Sequence, residues 1–111
     1  LSEESTQRVL DRVLDLGYLD DREYAVRRAR LMAEKGWGDF PIRLSLEELG
    51  IPEAMADEAL SRVLKEFSEE ERIAMLIEKR KGLKREKMVR FLAGRGFAFD
   101  KILNILDEVD A

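Results

Sequence analysis

Residues 35–51 read KGWGDFPIRLSLEELGI, and residues 81–97 read KGLKREKMVRFLAGRGF. At an offset of forty-six, Gly36 meets Gly82, Ile42 meets Met88, Leu46 meets Leu92 and Gly50 meets Gly96. Apolar residues four apart, closed by glycine on both sides, spell a short helix with a stop before and after it. A second echo runs at an offset of fifty, where LDRVLDLG at 10–17 resembles LSRVLKEF at 60–67. Self-similarity at such periods is the mark of a tandem repeat.

Working outward, apolar pairs recur at helical spacing and no stretch alternates as a strand would. The stripes are Val9, Leu10, Val13 and Leu14; Tyr24, Ala25, Leu31 and Met32; Ile42, Leu46 and Leu49; Ala59, Leu60, Val63 and Leu64; Ile73, Leu76 and Ile77; Met88, Phe91 and Leu92; and Leu103, Ile105, Leu106 and Val109. Seven short helices are expected, with Gly17, Gly36, Gly50, Gly82 and Gly96 each following one. Asp20 with Glu23, and Ser68 with Glu71, read as capping boxes, and Leu19 with Tyr24 as a hydrophobic staple. Pro52 suits the first turn of the fifth helix. The fold class is all-α: three-helix units stacked through their third helices into an elongated rod, with curvature allowed. Residues 1–17 hold the last helix of a truncated first repeat, 18–67 the second repeat and 68–111 the third.

The chain of 111 residues has no cysteine and no histidine, which removes disulfides, Cys/His zinc sites and a Ser-His-Asp triad. No apolar run approaches the roughly 20 residues that span a bilayer. The net charge of −4 is unevenly spread. Residues 1–71 carry 10 Lys and Arg against 18 Asp and Glu, residues 72–95 carry 9 against 2, and residues 96–111 carry 1 against 4. One basic block therefore sits inside an acidic protein.

Lys79, Arg80 and Lys81 close the sixth helix, where cations suit the dipole. Lys84, Arg85, Lys87 and Arg90 open and line the next, where the dipole disfavours them. Capping does not explain the whole set, and a negatively charged partner does. Asp20 and Asp21 are read as capping residues rather than as an acid–base pair. Arg27 and Arg30 are spaced to pair with Glu23 and Glu34 on one helix, and Arg28 packs its stem. Phe40 is expected in the core. Trp37 can be a lid on the core, an interface anchor or a stacking platform.

GYLDDREYA, KGWG, IRLSLEELGI and ADEAL together resemble the RecX family of recombination regulators. The resemblance implies a non-enzymatic protein without cofactor or metal. It would bind the RecA recombinase filament on single-stranded DNA, lodge in its groove, and inhibit ATP hydrolysis and strand exchange. The setting it implies is recombination, repair and the SOS response in the cytoplasm, and the chain would be the C-terminal portion of a longer protein. Arg30, Arg43 and Trp37 are the residues expected at the partner. Gly17, Tyr18, Leu19, Asp20, Asp21, Ala25, Gly36, Gly38, Ile42, Leu46 and Gly50 match the family and are read as fold-determining. Asp39-Phe40-Pro41 stands where the family carries basic residues, which moves the expected polyanion contact to Lys79–Arg90. The alternative is a nucleic-acid-binding helical module that touches phosphates through that same block; weak direct DNA binding is admitted in either case.

Overall fold

Alanines at positions 25, 29 and 33 fall on one line of a helix, and all three are buried. Their small side chains let a second helix come close, and Ala56 and Ala59 answer them from the other side. The computed structural model describes residues 18–110 as six α-helices, and no strand occurs among the described residues. They are α1 (Tyr18–Glu34), α2 (Asp39–Glu48), α3 (Glu53–Glu66), α4 (Glu69–Lys79), α5 (Arg85–Gly94) and α6 (Phe99–Asp110). The expected helix over Val9–Leu14, and Gly17, lie outside the described residues.

Two cores form. The first gathers Ala25, Val26, Ala29 and Ala33 of α1 with Ile42 and Leu46 of α2, Ile51, and Met55, Ala56, Ala59, Leu60 and Val63 of α3. The second gathers Ile73 and Leu76 of α4, Met88 and Leu92 of α5, Phe97, and Ile102 and Leu106 of α6. The helices thus pack in a repeat-like way, α1–α3 on one core and α4–α6 on the other. Shifted by forty-six, the bounds of α2 become those of α5, and the first residue of α3 becomes that of α6. The described residues extend 53 × 29 × 17 Å.

The helix ends follow from the glycines. Gly36, Gly50, Gly82 and Gly96 all have positive φ. After α2, the Gly50 N–H donates to Glu47 O at 3.0 Å and the Ile51 N–H to Leu46 O at 3.0 Å. That is the paired closure of a Schellman motif, and a left-handed residue is needed to make it. At the start of α4 the Ser68 hydroxyl accepts from the Glu71 N–H at 3.1 Å while the Glu71 carboxylate accepts from the Ser68 N–H at 2.8 Å. Ser68→Ala is expected to lower stability by about 1 kcal/mol, seen as a lower midpoint in urea at unchanged slope.

Several expectations are corrected. Helix α1 already includes Tyr18, so Asp20 lies within its first turn and is not a capping position. Pro52 is the N-cap of α3 rather than a first-turn residue, and its carbonyl accepts from the Ala56 N–H at 2.9 Å. Leu31 and Leu49 are exposed, because the buried stripe of α1 runs through the alanines and Val26, and Leu49 sits at the C-cap beyond the core face of α2. Phe40 is 68% exposed, not in the core, because Ile42 and Leu46 take the inward face of α2.

Candidate functional site: charged surfaces and the joint between repeats

The turn between α1 and α2 does not end at its own repeat. The Gly38 N–H donates to Arg95 O at 2.8 Å, across to the turn between α5 and α6. A Cβ at Gly38 would stand 2.6 Å from Gly96 O, so only glycine admits this approach. Arg72 of α4 is fully buried here. Its guanidinium donates to Trp37 O at 2.8 Å and to Phe67 O at 3.1 Å, and lies 2.9 Å from the Asp39 carboxylate as an ion pair. Glu69 accepts from the Asp39 N–H at 2.7 Å and pairs with Lys101 at 3.0 Å. Burial first, and then the charge of Glu69, holds the Asp39 carboxyl above the ordinary carboxylate value, against the pull of Arg72 and Lys101. The Lys101 ammonium is held above its ordinary value chiefly by its hydrogen bond to Glu69. The polar joint between the two helix groups is therefore made of turns and the start of α4, where stacking through third helices was expected.

Arg30 reaches across from α1 to α3, with Nε 2.8 Å from Glu66 Oε1 and Nη2 2.8 Å from Glu66 Oε2. This fork, and not the expected bond to Glu34, is its ion pair; it holds Arg30 above and Glu66 below their ordinary values. Arg43 of α2 pairs with Asp57 of α3, and Arg22 with Glu58. Both Arg30 and Arg43 keep more than a third of their side chains exposed. Arg27 is exposed and forms no ion pair among the described residues, so the expected pair with Glu23 is absent. Arg28 is half-buried and donates to the Ser45 hydroxyl at 3.3 Å. Trp37 is half-buried against the first core with the Arg95 guanidinium 4.7 Å from its ring centroid, which puts it at the joint.

The basic block is exposed throughout. Lys81 approaches Glu78 at 3.3 Å and Arg85 pairs with Asp107 at 2.7 Å. Arg80 lies over the Phe91 ring at 4.4 Å. Lys79, Lys84, Lys87 and Arg90 have no ion-pair partner among the described residues. Lys84 is the N-cap of α5 without a side-chain capping bond, so it faces the positive end of that helix. The described residues hold no group of three or more His, Cys, Asp or Glu that could bind a metal, and no helix among them is long and apolar enough to cross a membrane.

The chain is similar to regulatory protein RecX of Vibrio campbellii, 37% identical over 95 residues that make up 80% of this chain and 61% of that one. It is 30% identical over 122 residues to the RecX of Leuconostoc citreum, covering 99% of this chain and 44% of the relative. With the RecX of Chlorobium phaeobacteroides it shares 32% identity over 122 residues, 97% of this chain and 74% of the relative. The chain belongs to the RecX family. It spans less than two thirds of the Vibrio and Leuconostoc proteins. No family model matches, and no solved structure does.

The residues that carried the RecX resemblance divide by position. Ala25, Ile42 and Leu46 are buried in the first core; Gly36 and Gly50 end helices; Gly38 is the close approach of the joint. Asp21 lies in α1, as do Tyr18, Leu19 and Asp20. Sequence reasoning missed Arg72, Glu69 and Arg95. A signal existed for the first: Arg72 precedes Ile73 and lies four residues before Leu76, on the side of α4 that packs.

Proposed function

We propose that this RecX-family chain is a non-enzymatic modulator of the RecA recombinase in the cytoplasm. It binds the groove of the RecA filament on single-stranded DNA and inhibits ATP hydrolysis and strand exchange. The single observation that carries the reading is a surface of cations, Lys79, Lys84, Lys87 and Arg90, that the fold leaves unpaired among its described residues, in a chain whose relatives are named regulatory proteins. Lys84 and Lys87, unpaired at the start of α5, cost stability in the free protein, and an anionic partner recovers that cost. Arg30, Arg43 and Trp37 supply the protein-facing contacts. Arg30 and Arg43 are partly exposed, and a filament carboxylate can share or take over their forks from Glu66 and Asp57. The boundaries 18–67 and 68–111 are the two repeats that lie along the filament, and a longer stack of them makes the rod. Many modest contacts then act together.

The test is RecA ATP hydrolysis on single-stranded DNA. The wild-type chain is expected to slow it. Lys84→Glu with Lys87→Glu and Arg90→Glu is expected to raise the concentration needed by at least about tenfold, since three reversals replace attraction by repulsion. Helix content, read by circular dichroism, should not change. Equal inhibition by the variant would remove the block from the mechanism. The acidic total of −4 weighs against a general nucleic-acid binder.

A further inference from the structure

Arg27, Arg28 and Arg30 of α1 stand within one turn of helix, in a repeat that is acidic as a whole. Residues 18–67 hold 8 Lys and Arg against 11 Asp and Glu. The fold gives a carboxylate to only one of the three: Arg30 forks onto Glu66. Arg28 uses a single donor, Nε, on the Ser45 hydroxyl at 3.3 Å. Arg27 has neither an ion pair nor a hydrogen bond among the described residues, and the Tyr24 hydroxyl is equally without a partner there. Apolar surface lies among these cations. Tyr24, Leu31 and the stems of the three arginines line one shallow depression with Glu34. Leu31 is 45% exposed, although it is one of the most apolar residues of α1.

We propose that this face of α1 docks a short acidic peptide segment that carries one apolar side chain. The apolar side chain lies over Leu31 and the Tyr24 ring. Carboxylates on either side of it accept from the free donors of Arg27 and Arg28, and the Tyr24 hydroxyl donates to one of them. The charge pattern sets the length of the segment. Glu23 and Glu34 are exposed on the side of Arg27, four residues before it and seven after it. Eleven residues of helix rise roughly 16 Å. An extended peptide covers that distance in about five residues. A nucleic-acid backbone repeats its charge past both glutamates and meets repulsion at each end, whereas a peptide can leave acidic residues out there. Leu31 points the same way: a phosphodiester gains nothing from an exposed leucine, and an apolar side chain does. The surface belongs to one helix of the first core, apart from Lys79–Arg90, and the proposal goes beyond the filament reading.

The probe is a fluorescein-labelled pentapeptide, Asp-Asp-Phe-Asp-Asp, read by anisotropy in about 0.1 M salt, where distant charges are screened. It is expected to bind with a Kd of about 100 μM. Arg27→Glu is expected to weaken binding at least about tenfold. Leu31→Gln is expected to weaken it roughly fivefold by removing the apolar contact. Both side chains are exposed, so helix content should stay the same. Replacing the phenylalanine of the probe by serine should cost a similar factor and make binding indifferent to Leu31→Gln. The variant Lys84→Glu with Lys87→Glu and Arg90→Glu is expected to bind the pentapeptide as the wild type does, which separates this surface from the one proposed for the filament. No binding up to about 1 mM would overturn the proposal. So would an affinity indifferent to Arg27→Glu or to Leu31→Gln, or an equal loss in the triple variant. An oligothymidylate of about twenty nucleotides that binds more tightly than the pentapeptide and loses as much affinity on Arg27→Glu would make this a nucleic-acid surface and overturn the proposal as well.

Discussion

Arg72→Ala is expected to destabilise the protein by about 3 kcal/mol, the lower part of the range for removing one partner of a buried ion pair. The side chain is fully buried, donates to two acceptors, the carbonyls of Trp37 and Phe67, and forms an ion pair with Asp39. Its loss leaves two carbonyls without their donor and a carboxylate beside Glu69 without its cation. The Asp39 side chain keeps 30% exposure, which is why the lower part of the range applies. The deficit should also depend on pH. Asp39 is already held above the ordinary carboxylate value, and without Arg72 it rises further. A carboxyl with a raised value binds its proton more tightly folded than unfolded. Its contribution therefore falls as pH rises from the ordinary to the folded value, and returns on acidification. The Arg72→Ala deficit measured by urea denaturation should become smaller as the pH is lowered from neutral toward the ordinary carboxylate value. A deficit that does not change over that range, or one below about 1 kcal/mol, would remove the ion pair from the account of the joint.

Gly96→Ala is expected to cost about 3 kcal/mol, from two separate causes. The residue has φ +92°, where a Cβ is strained by roughly 1–2 kcal/mol. The added Cβ would also overlap the ring of Pro41 in the other repeat. Gly50 is the matching position one repeat earlier, with φ +83° and nothing within 4 Å of a built Cβ. Gly50→Ala should therefore show the backbone cost alone, about 1 kcal/mol. The difference between the two substitutions measures how tightly the repeats are joined. Removing the ring with Pro41→Ala should recover most of that difference in the double variant. Equal costs at positions 50 and 96 would mean that the turn of one repeat does not press on the other.

The helices were legible because their signals are local. Glycine at the end of a stripe, and Ser68 three residues before Glu71, act within one turn of backbone, and the folded chain uses them as read. The side of each helix that packs was less legible. Leu31 looked like core by hydrophobicity alone, yet Ala25, Ala29 and Ala33 are inside because close packing against α3 favours small residues. Phe40 failed in the same way, since it lies in the first turn of α2 off the face that Ile42 and Leu46 turn inward.

Ion pairs were the least legible feature. The spacing of Arg30 and Glu34 suits a bond along one helix, but Glu66 lies thirty-six residues away and accepts with both carboxylate oxygens. Such a partner exists only after α1 and α3 have packed. The same holds for Arg72, whose partners come from residues 37, 39 and 67. The basic block was visible as composition, whereas its division into paired and unpaired cations required the positions of Glu78 and Asp107.

The most direct measurement is co-sedimentation of the chain with preassembled RecA filaments on single-stranded DNA, beside the same DNA without RecA at matched salt. The chain is expected to pellet with the filament at salt concentrations where it no longer follows bare DNA. Equal binding to filament and bare DNA at every salt concentration would contradict it, and would make the chain a phosphate-binding helical module instead.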